Sequence, residues 1–315
     1  MEHYVTLFDS LFLPQGIALH LSLERHAKPY TLWILCVDDE GARVLQQLNL
    51  PNTRLLKLLD IETPELKRAK ESRSRVEYCW TLTPFTPRFV FDADPTVSRA
   101  TYIDADIWFR KSPAPIFREY VDSGKNVLIT DHAYAAEYDY SFTSGQYCVQ
   151  FVTFSRTAGE KVRKWWEERC LEWCYARSED GKFGDQLYLD EWPNRFPFDV
   201  HILADKELIL APWNATRFPY GRSVCWHFHG LRLVARGRKE RFAVDCGGYS
   251  IPQNAITYVY REYLKDLRSA LTMIYSANGN IRPQKKGSLP QRAKDWIAGY
   301  KRQLWRCSVH TRLPL

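Results

Sequence analysis

No stretch of the 315-residue chain approaches the roughly 18 to 20 uninterrupted apolar residues that a membrane-spanning helix needs. The opening "MEHYVTLFD" passes straight into a strand pattern, with neither the basic region nor the apolar run of a secretory leader, so nothing marks the chain for export. Its 8 cysteines (36, 79, 148, 170, 174, 225, 246 and 307) are scattered. Only Cys170 and Cys174 stand close together, in a helical pattern whose spacing fits no usual zinc or redox motif. Reduced thiols and a cytoplasmic location are therefore expected. Internal repeats are absent, and no low-complexity linker precedes residue 276. Excess charge is also missing from most of the chain. From Arg282 onward, 9 Lys and Arg face the single acid Asp295, which leaves 35 basic and 36 acidic residues in the first 281. No recognition module accompanies the basic residues, so nucleic acid is not an expected partner.

What is present is a globular composition, 45% hydrophobic and 14% aromatic, ample for a large core. Strand and helix patterns alternate. "HYVTLFD" (3–9), "YTLWILCVDD", "TRLLKLLDI", "TYIDADIWF" (101–109) and "NVLITD" (126–131) read as strands. Helices are expected from Pro14, over 76–91 and from about 114. Further on, "YCVQFVTF" alternates like a strand, and "GEKVRKWWEERCLEWCYARS" reads as one long helix. "DVHIL", "ELILAPW" and "SVCWHFHG" read as short strands, and 252–275 as a helix. This is the rhythm of a mixed, mostly parallel α/β sheet flanked by helices. One catalytic domain over 1–281 is expected, followed by a basic amphipathic tail over 282–315. In that tail Trp296, Ile297, Tyr300, Leu304 and Trp305 recur at helical spacing among Lys294, Lys301, Arg302 and Arg306, the pattern of a helix lying on an anionic membrane. The same stripe would equally suit a terminal helix docked on its own domain.

Ligands of such sheets collect at the carboxyl ends of the strands, and polar residues gather there: Asp9, Asp38 and Asp39, then Asp104 and Asp106. Side chains two apart on a strand share a face, so Asp104 and Asp106 can converge on one ion, and oxygen ligands suit magnesium or manganese. The competing reading has both carboxylates capping a turn or pairing with Arg110 and Lys111. "CWHFHG" (225–230) sets His227 and His229 two apart at the end of a late strand, before a glycine. Imidazole joins carboxylates in many manganese sites.

Together these motifs resemble the metal-dependent, nucleotide-sugar glycosyltransferases of the GT-A fold, nearest to the retaining enzymes of family 8, over residues 3–233. The resemblance implies a GT-A (nucleotide-diphospho-sugar transferase-like) domain. Asp9 stands in place of the base-contacting aspartate, with Thr6, Phe8 and Asp38 beside it at the nucleotide. "YIDADIWF" matches the metal motif, and His227 corresponds to its third ligand, so Asp104, Asp106 and His227 would hold Mn2+ or Mg2+. In "FGDQLYLDEW", Asp185 and Gln186 would lie beside the donor sugar, and "LAPWN" (210–214) would line the acceptor side. Three departures are visible. Leu11 replaces a polar residue near the base. The usual Asn-x-Gly segment is "YCVQF", with Gln150 the polar residue left to contact the sugar. Leu233 stands where a lysine is common, leaving Gly230 and Arg232 for the diphosphate. Trp80 and Thr83 face either the donor or the core.

The resemblance implies transfer of a sugar from a nucleotide-diphosphate donor, UDP-linked by family habit, to a glycan or lipid-linked acceptor, with retention at the anomeric centre. It suggests polysaccharide assembly at the inner face of a membrane. Two other classes stay open: a carbohydrate-binding protein using aromatics such as Trp213 and Tyr220, and a Mg2+-dependent phosphatase of the haloacid dehalogenase type. Against the latter, Trp108 occupies a position where threonine or valine is usual, and the Asp-x-Asp lies beyond residue 100.

Overall fold

The structure, a computed structural model, describes residues 1–235, 242–281 and 312–314. Its centre is a seven-stranded mixed sheet in the order β3-β2-β1-β4-β7-β6-β8. In chain order these are β1 (Glu2–Phe8), β2 (Tyr30–Cys36), β3 (Thr53–Lys57), β4 (Arg99–Ile103), β6 (Val127–Asp131), β7 (Tyr147–Ser155) and β8 (Val200–Ile202). Neighbours pair in parallel except where β7 runs antiparallel to both β4 and β6. A second sheet, β5 (Ile107–Phe109), β10 (Cys225–His227) and β9 (Ile209–Leu210), adjoins it, and a third joins β11 (Arg232–Ala235), β12 (Phe242–Asp245) and β13 (Arg312–Pro314).

Alternation along β1 decides which layer each residue feeds. Tyr4 and Phe8 enter the core on one face, against the helix α1 (Leu13–His26), while Val5 and Leu7 enter the core on the other. Gly16 lets α1 settle onto β1, because a Cβ there would lie 2.3 Å from Cζ of Phe8. The helix Arg261–Ser276 closes the second sheet through a third core containing Trp108, Trp226, Phe228 and Tyr263. Asp266 of that helix accepts from Nε1 of Trp108 at 2.7 Å and pairs with Arg25 of α1. One carboxylate thereby ties α1, β5 and the late helix together.

Several elements depart from the periodicity of the sequence. "TYIDADIWF" is not one strand: β4 ends at Ile103, Asp104–Asp106 form a turn, and β5 joins another sheet. A run buried almost throughout carries no periodicity to mark where it changes sheets. The turn is closed by the Ile107 N–H donating to the Asp104 carbonyl at 3.1 Å. The long helix stops at Glu172, so Cys174 lies beyond it. "ELILAPW" yields only the short β9 before a single turn of 3-10 helix, Pro212–Asn214. The amphipathic pattern of the tail, 296–306, lies outside the described residues, whereas Arg312–Pro314 of the same tail adds a strand to β12.

The packing of α1 is testable at one atom. Gly16→Ala should destabilise the protein by about 1–3 kcal/mol through overpacking against Phe8, although alanine favours a helix by about 1 kcal/mol. Denaturant melts should show that loss, and adding Phe8→Leu should recover part of it.

Candidate metal centre and cleft

The turn after β4 and the end of β10 meet where the two sheets join. The Asp104 N–H donates to the Gln150 carbonyl at 3.2 Å, and the Phe228 N–H donates to the Asp106 carbonyl at 2.9 Å. These backbone bonds bring two carboxylates and one imidazole to a point. Nε2 of His227 lies 3.1 Å from Oδ1 of Asp106 and 3.6 Å from Oδ2 of Asp104, and one ligand atom from each of the three falls within 4.8 Å of the others. The hydroxyl of Tyr102 donates to Asp104 at 2.8 Å. On the far side of the ring, Nδ1 lies 2.8 Å from Oε1 of Gln150.

Charge at this point is unbalanced. Burial opposes ionisation of Asp106, yet the adjoining His227 holds its carboxyl below the usual carboxylate range. Burial raises Asp104, with the repulsion of Asp106 added and the attraction of His227 offsetting part of it. The two carboxylates in turn keep the imidazole protonated to higher pH than burial alone would allow. Within this three-residue group even a fully protonated ring leaves one negative charge over, with Asp104 still 29% exposed at the cleft. A divalent cation would balance it, and two carboxylate oxygens with one imidazole nitrogen are a donor set that manganese or magnesium could take.

A cleft of about 260 Å3 opens beside Asp104 and His227. One wall carries Asp185 and Gln186, on the segment preceding the 3-10 helix Leu187–Glu191. Asp185 is buried, and burial, reinforced by the charge of Asp104, pushes its carboxyl up to about 7. Its carbonyl accepts from Nε1 of Trp166 at 2.8 Å, and Nε2 of Gln186 donates to the Ser144 carbonyl at 2.6 Å. Trp80 and Thr83 line the same wall, and Gly184 admits Trp80 closely: a Cβ there would meet the indole at 3.2 Å.

The opposite wall is aromatic; Trp213, expected on the acceptor side, is part of it, whereas His132 and Tyr134 were not legible as site residues. His132 stacks on Tyr134 with centroids 4.5 Å apart, and its edge meets Trp213 at 5.1 Å. Trp213 also stands against His227 and His229, at 5.2 and 5.3 Å. Burial pushes His132 down to about 4, so at neutral pH it is an uncharged ring. A usable signal was the aromatic density of "DHAYAAEYDY" at the carboxyl end of β6, the strand end where ligands gather.

Other expected site residues lie elsewhere. The side chains of Thr6 and Phe8 are in the core beneath α1 and do not reach the cleft, because β1 is covered on both faces. Gln150 is 1% exposed, lies behind His227 and is not among the residues lining the cleft. Asp9 and Asp38 end β1 and β2 as expected, but each binds Arg75, at 2.6 and 2.7 Å, and Asp38 also caps the helix α2 (Asp39–Leu48) through the Gly41 N–H. His229 lines the cleft without joining the three-ligand group. Gly230 takes a left-handed turn at φ +77°. Arg232 lies over the Phe12 ring at 5.6 Å and close enough to Asp106 to favour its ionised form.

Asp185 gives a pH signature. Its folded carboxyl binds a proton more tightly than the unfolded one, so stability should fall as pH rises from about 4 to 7 and then level off. In the metal-free protein the slope attributable to this group should approach about 1.4 kcal/mol per pH unit. Asp185→Asn should remove it, as chemical unfolding of both proteins across that range would reveal.

No protein-family profile matches the chain. The glycosyltransferase GlyE of Streptococcus pneumoniae TIGR4, in its apo form, superposes with a TM-score of 0.52 at 13% identity, over 91% of this chain and 66% of that one. An active-site mutant of LgtC superposes with a TM-score of 0.51 at 12% identity, over 85% of this chain and 95% of that one. At such identities the likeness establishes a shared GT-A fold, mixed and mostly parallel. In sequence, YfnD of Bacillus subtilis (strain 168), an uncharacterised protein, is 28% identical over 291 residues, 87% of this chain and 91% of its own. YfnF of the same organism, also uncharacterised, is 33% identical over 250 residues, covering 74% of this chain and 82% of its own length. The chain belongs to the protein family of YfnF.

Proposed function

We propose that this protein is a metal-dependent glycosyltransferase that moves a sugar from a nucleotide-diphosphate donor to a glycan or lipid-linked acceptor. The observation that carries the reading is the convergence of Asp104, Asp106 and His227 at the edge of a cleft in a GT-A fold. Those three residues would hold the ion, and manganese is the better match to their mixed ligand set, with magnesium the alternative. When bound, the ion supplies Lewis-acid stabilisation of the negative charge that develops on a departing diphosphate.

The chain's own residues supply the rest. Asp185 and Gln186, beside Asp104 on the cleft wall, orient the transferred sugar through its hydroxyls. Asp185, poised near neutrality, can accept or donate such a bond. Arg232, beyond Gly230 and near Asp106, adds a positive charge on the diphosphate side. Asp9 and Asp38 stand where a nucleotide would lie at the ends of β1 and β2, and Arg75, which they now hold, is the group such a nucleotide would meet. Trp213 and Tyr134 offer flat faces on which a sugar ring packs, which supports an acceptor on that side. We assign UDP as the nucleotide and retention as the stereochemical outcome from the family 8 resemblance, with the acceptor hydroxyl attacking from the face of departure and no separate catalytic base. The aromatic wall also favours a second reading, a carbohydrate-binding protein without turnover. The two differ in whether nucleotide sugar is consumed.

We place the protein in the cytoplasm at the inner face of a membrane, in polysaccharide assembly. No helix among the described residues is long and apolar enough to cross a membrane, so the basic tail from Arg282 would make the contact.

A panel of nucleotide sugars assayed for release of free nucleotide should identify a donor consumed only with manganese or magnesium. EDTA should stop the reaction and added manganese restore it. Asp106→Ala should abolish turnover while the protein stays folded by circular dichroism, and full activity in that variant would refute the transferase reading. Metal-independent glycan binding without donor consumption would favour the second. For the membrane contact, exchanging Lys294, Lys301, Arg302 and Arg306 for Gln should weaken binding to anionic vesicles by about 1 kcal/mol per residue. Turnover on a soluble acceptor should be unchanged.

A further inference from the structure

The imidazole of His227 can serve as a ligand through Nε2 only if its remaining proton sits on Nδ1, and something must hold it there. Nε2 is the atom that faces Asp104 and Asp106. Nδ1 faces the opposite way, 2.8 Å from Oε1 of Gln150, and both side chains are almost sealed from water, at 4% and 1% exposure. We propose that Gln150 is a positioning residue for the metal centre, accepting the Nδ1–H of His227 and so presenting the Nε2 lone pair to the ion. The proposal rests on the metal-dependent reading above.

Two states of the ring demand the same partner. As an imidazolium between the carboxylates, His227 donates from both nitrogens; as a metal ligand it keeps only the Nδ1 proton. An acceptor oxygen at Nδ1 satisfies each state, whereas an amide NH2 there would satisfy neither. Glutamine also does this without charge. A carboxylate in its place would put a third negative group behind two that already outnumber the imidazolium.

A separate observation points the same way. The main-chain carbonyl of Gln150 accepts the Asp104 N–H at 3.2 Å. Gln150 sits on β7, which pairs with β4 in the main sheet, while His227 ends β10 in the second sheet. Through its backbone one residue fixes the ligand that follows β4, and through its side chain the ligand that belongs to the other sheet. It is the piece that sets the distance between them. Because its side chain does not line the cleft, its role is exerted through His227 and not on a sugar. Partners of this kind, hydrogen-bonded to the far nitrogen of a ligating histidine, orient the ring and raise its basicity.

The test is manganese affinity of the full-length, ion-stripped protein by titration calorimetry, for wild type, Gln150→Leu, Gln150→Glu and Asp106→Ala. Gln150→Leu should weaken binding on the order of 10- to 100-fold, and Gln150→Glu, which keeps an acceptor oxygen, should bind at least as well as wild type. Thermal melts separate loss of affinity from loss of fold. Should the leucine variant fail to fold, the glutamate variant and the wild-type ring remain informative. In the wild type loaded with magnesium, long-range 1H–15N spectra should show His227 protonated at Nδ1. Equal manganese affinity in wild type and folded Gln150→Leu, or a proton on Nε2 of the magnesium-loaded ring, would overturn the positioning role while leaving the metal centre intact. Wild type that takes up no more manganese than Asp106→Ala would overturn the metal reading and this role with it.

Discussion

Two carboxylates and one imidazole, gathered at the edge of a cleft, set the terms for the rest of this structure. Asp104 and Asp106 repel one another, and burial penalises both. A chain folding for stability alone would spread them apart or give each its own cation. Instead, backbone hydrogen bonds from Asp104 to Gln150 and from Phe228 to Asp106 pin them beside His227. The fold holds a local excess of negative charge, and the neighbouring elements are what keep it there.

Much of that holding is done far from the cleft. The second sheet, which contributes His227, is fastened to α1 and the helix Arg261–Ser276 through Asp266, Arg25 and Trp108. Phe228, next to His227, stacks on Tyr263 with centroids 3.6 Å apart. Gly16 lets α1 settle close onto β1 against the Phe8 ring, and α1 in turn accepts the Phe109 N–H of the second sheet through Ser22. The two aspartates sit in a short turn anchored by β4 and β5, and His227 closes β10, so strands on either side fix where the ligands stand. The two cleft walls differ in kind: carboxylate and amide on one, neutral aromatic rings on the other. A ligand with polar edges and flat apolar faces suits both, and sugars are built that way.

Legibility followed the strength of local signals. Alternation and turn residues showed β1, α1, β2 and β6, and the paired aspartates and the late His227/His229 pair each stood out by closing an apolar run, while the choice of His227 came from the family resemblance. Periodicity failed along residues 101–109, where nearly every side chain is buried and a turn inside the run left no mark. Gln150 was visible as an isolated polar residue in an apolar strand. That it faces His227 and not the cleft depends on the pairing of β7 with β4, which no local pattern states. Arg75 bridging Asp9 and Asp38 was likewise hidden, since it comes from a helix 37 residues beyond Asp38.

The sequence by itself determined the α/β rhythm, the residue types able to hold a divalent ion, and the basic character of the C-terminal stretch, because composition and short-range spacing carry those properties. Only the tertiary structure decided that Asp104 and Asp106 occupy a turn between two sheets, that the wall across from Asp185 is aromatic, and that Gln150 grips the far side of His227. Those facts depend on which strands become neighbours. Pairing across many tens of residues is set by the summed burial of whole faces, and no short segment contains that sum.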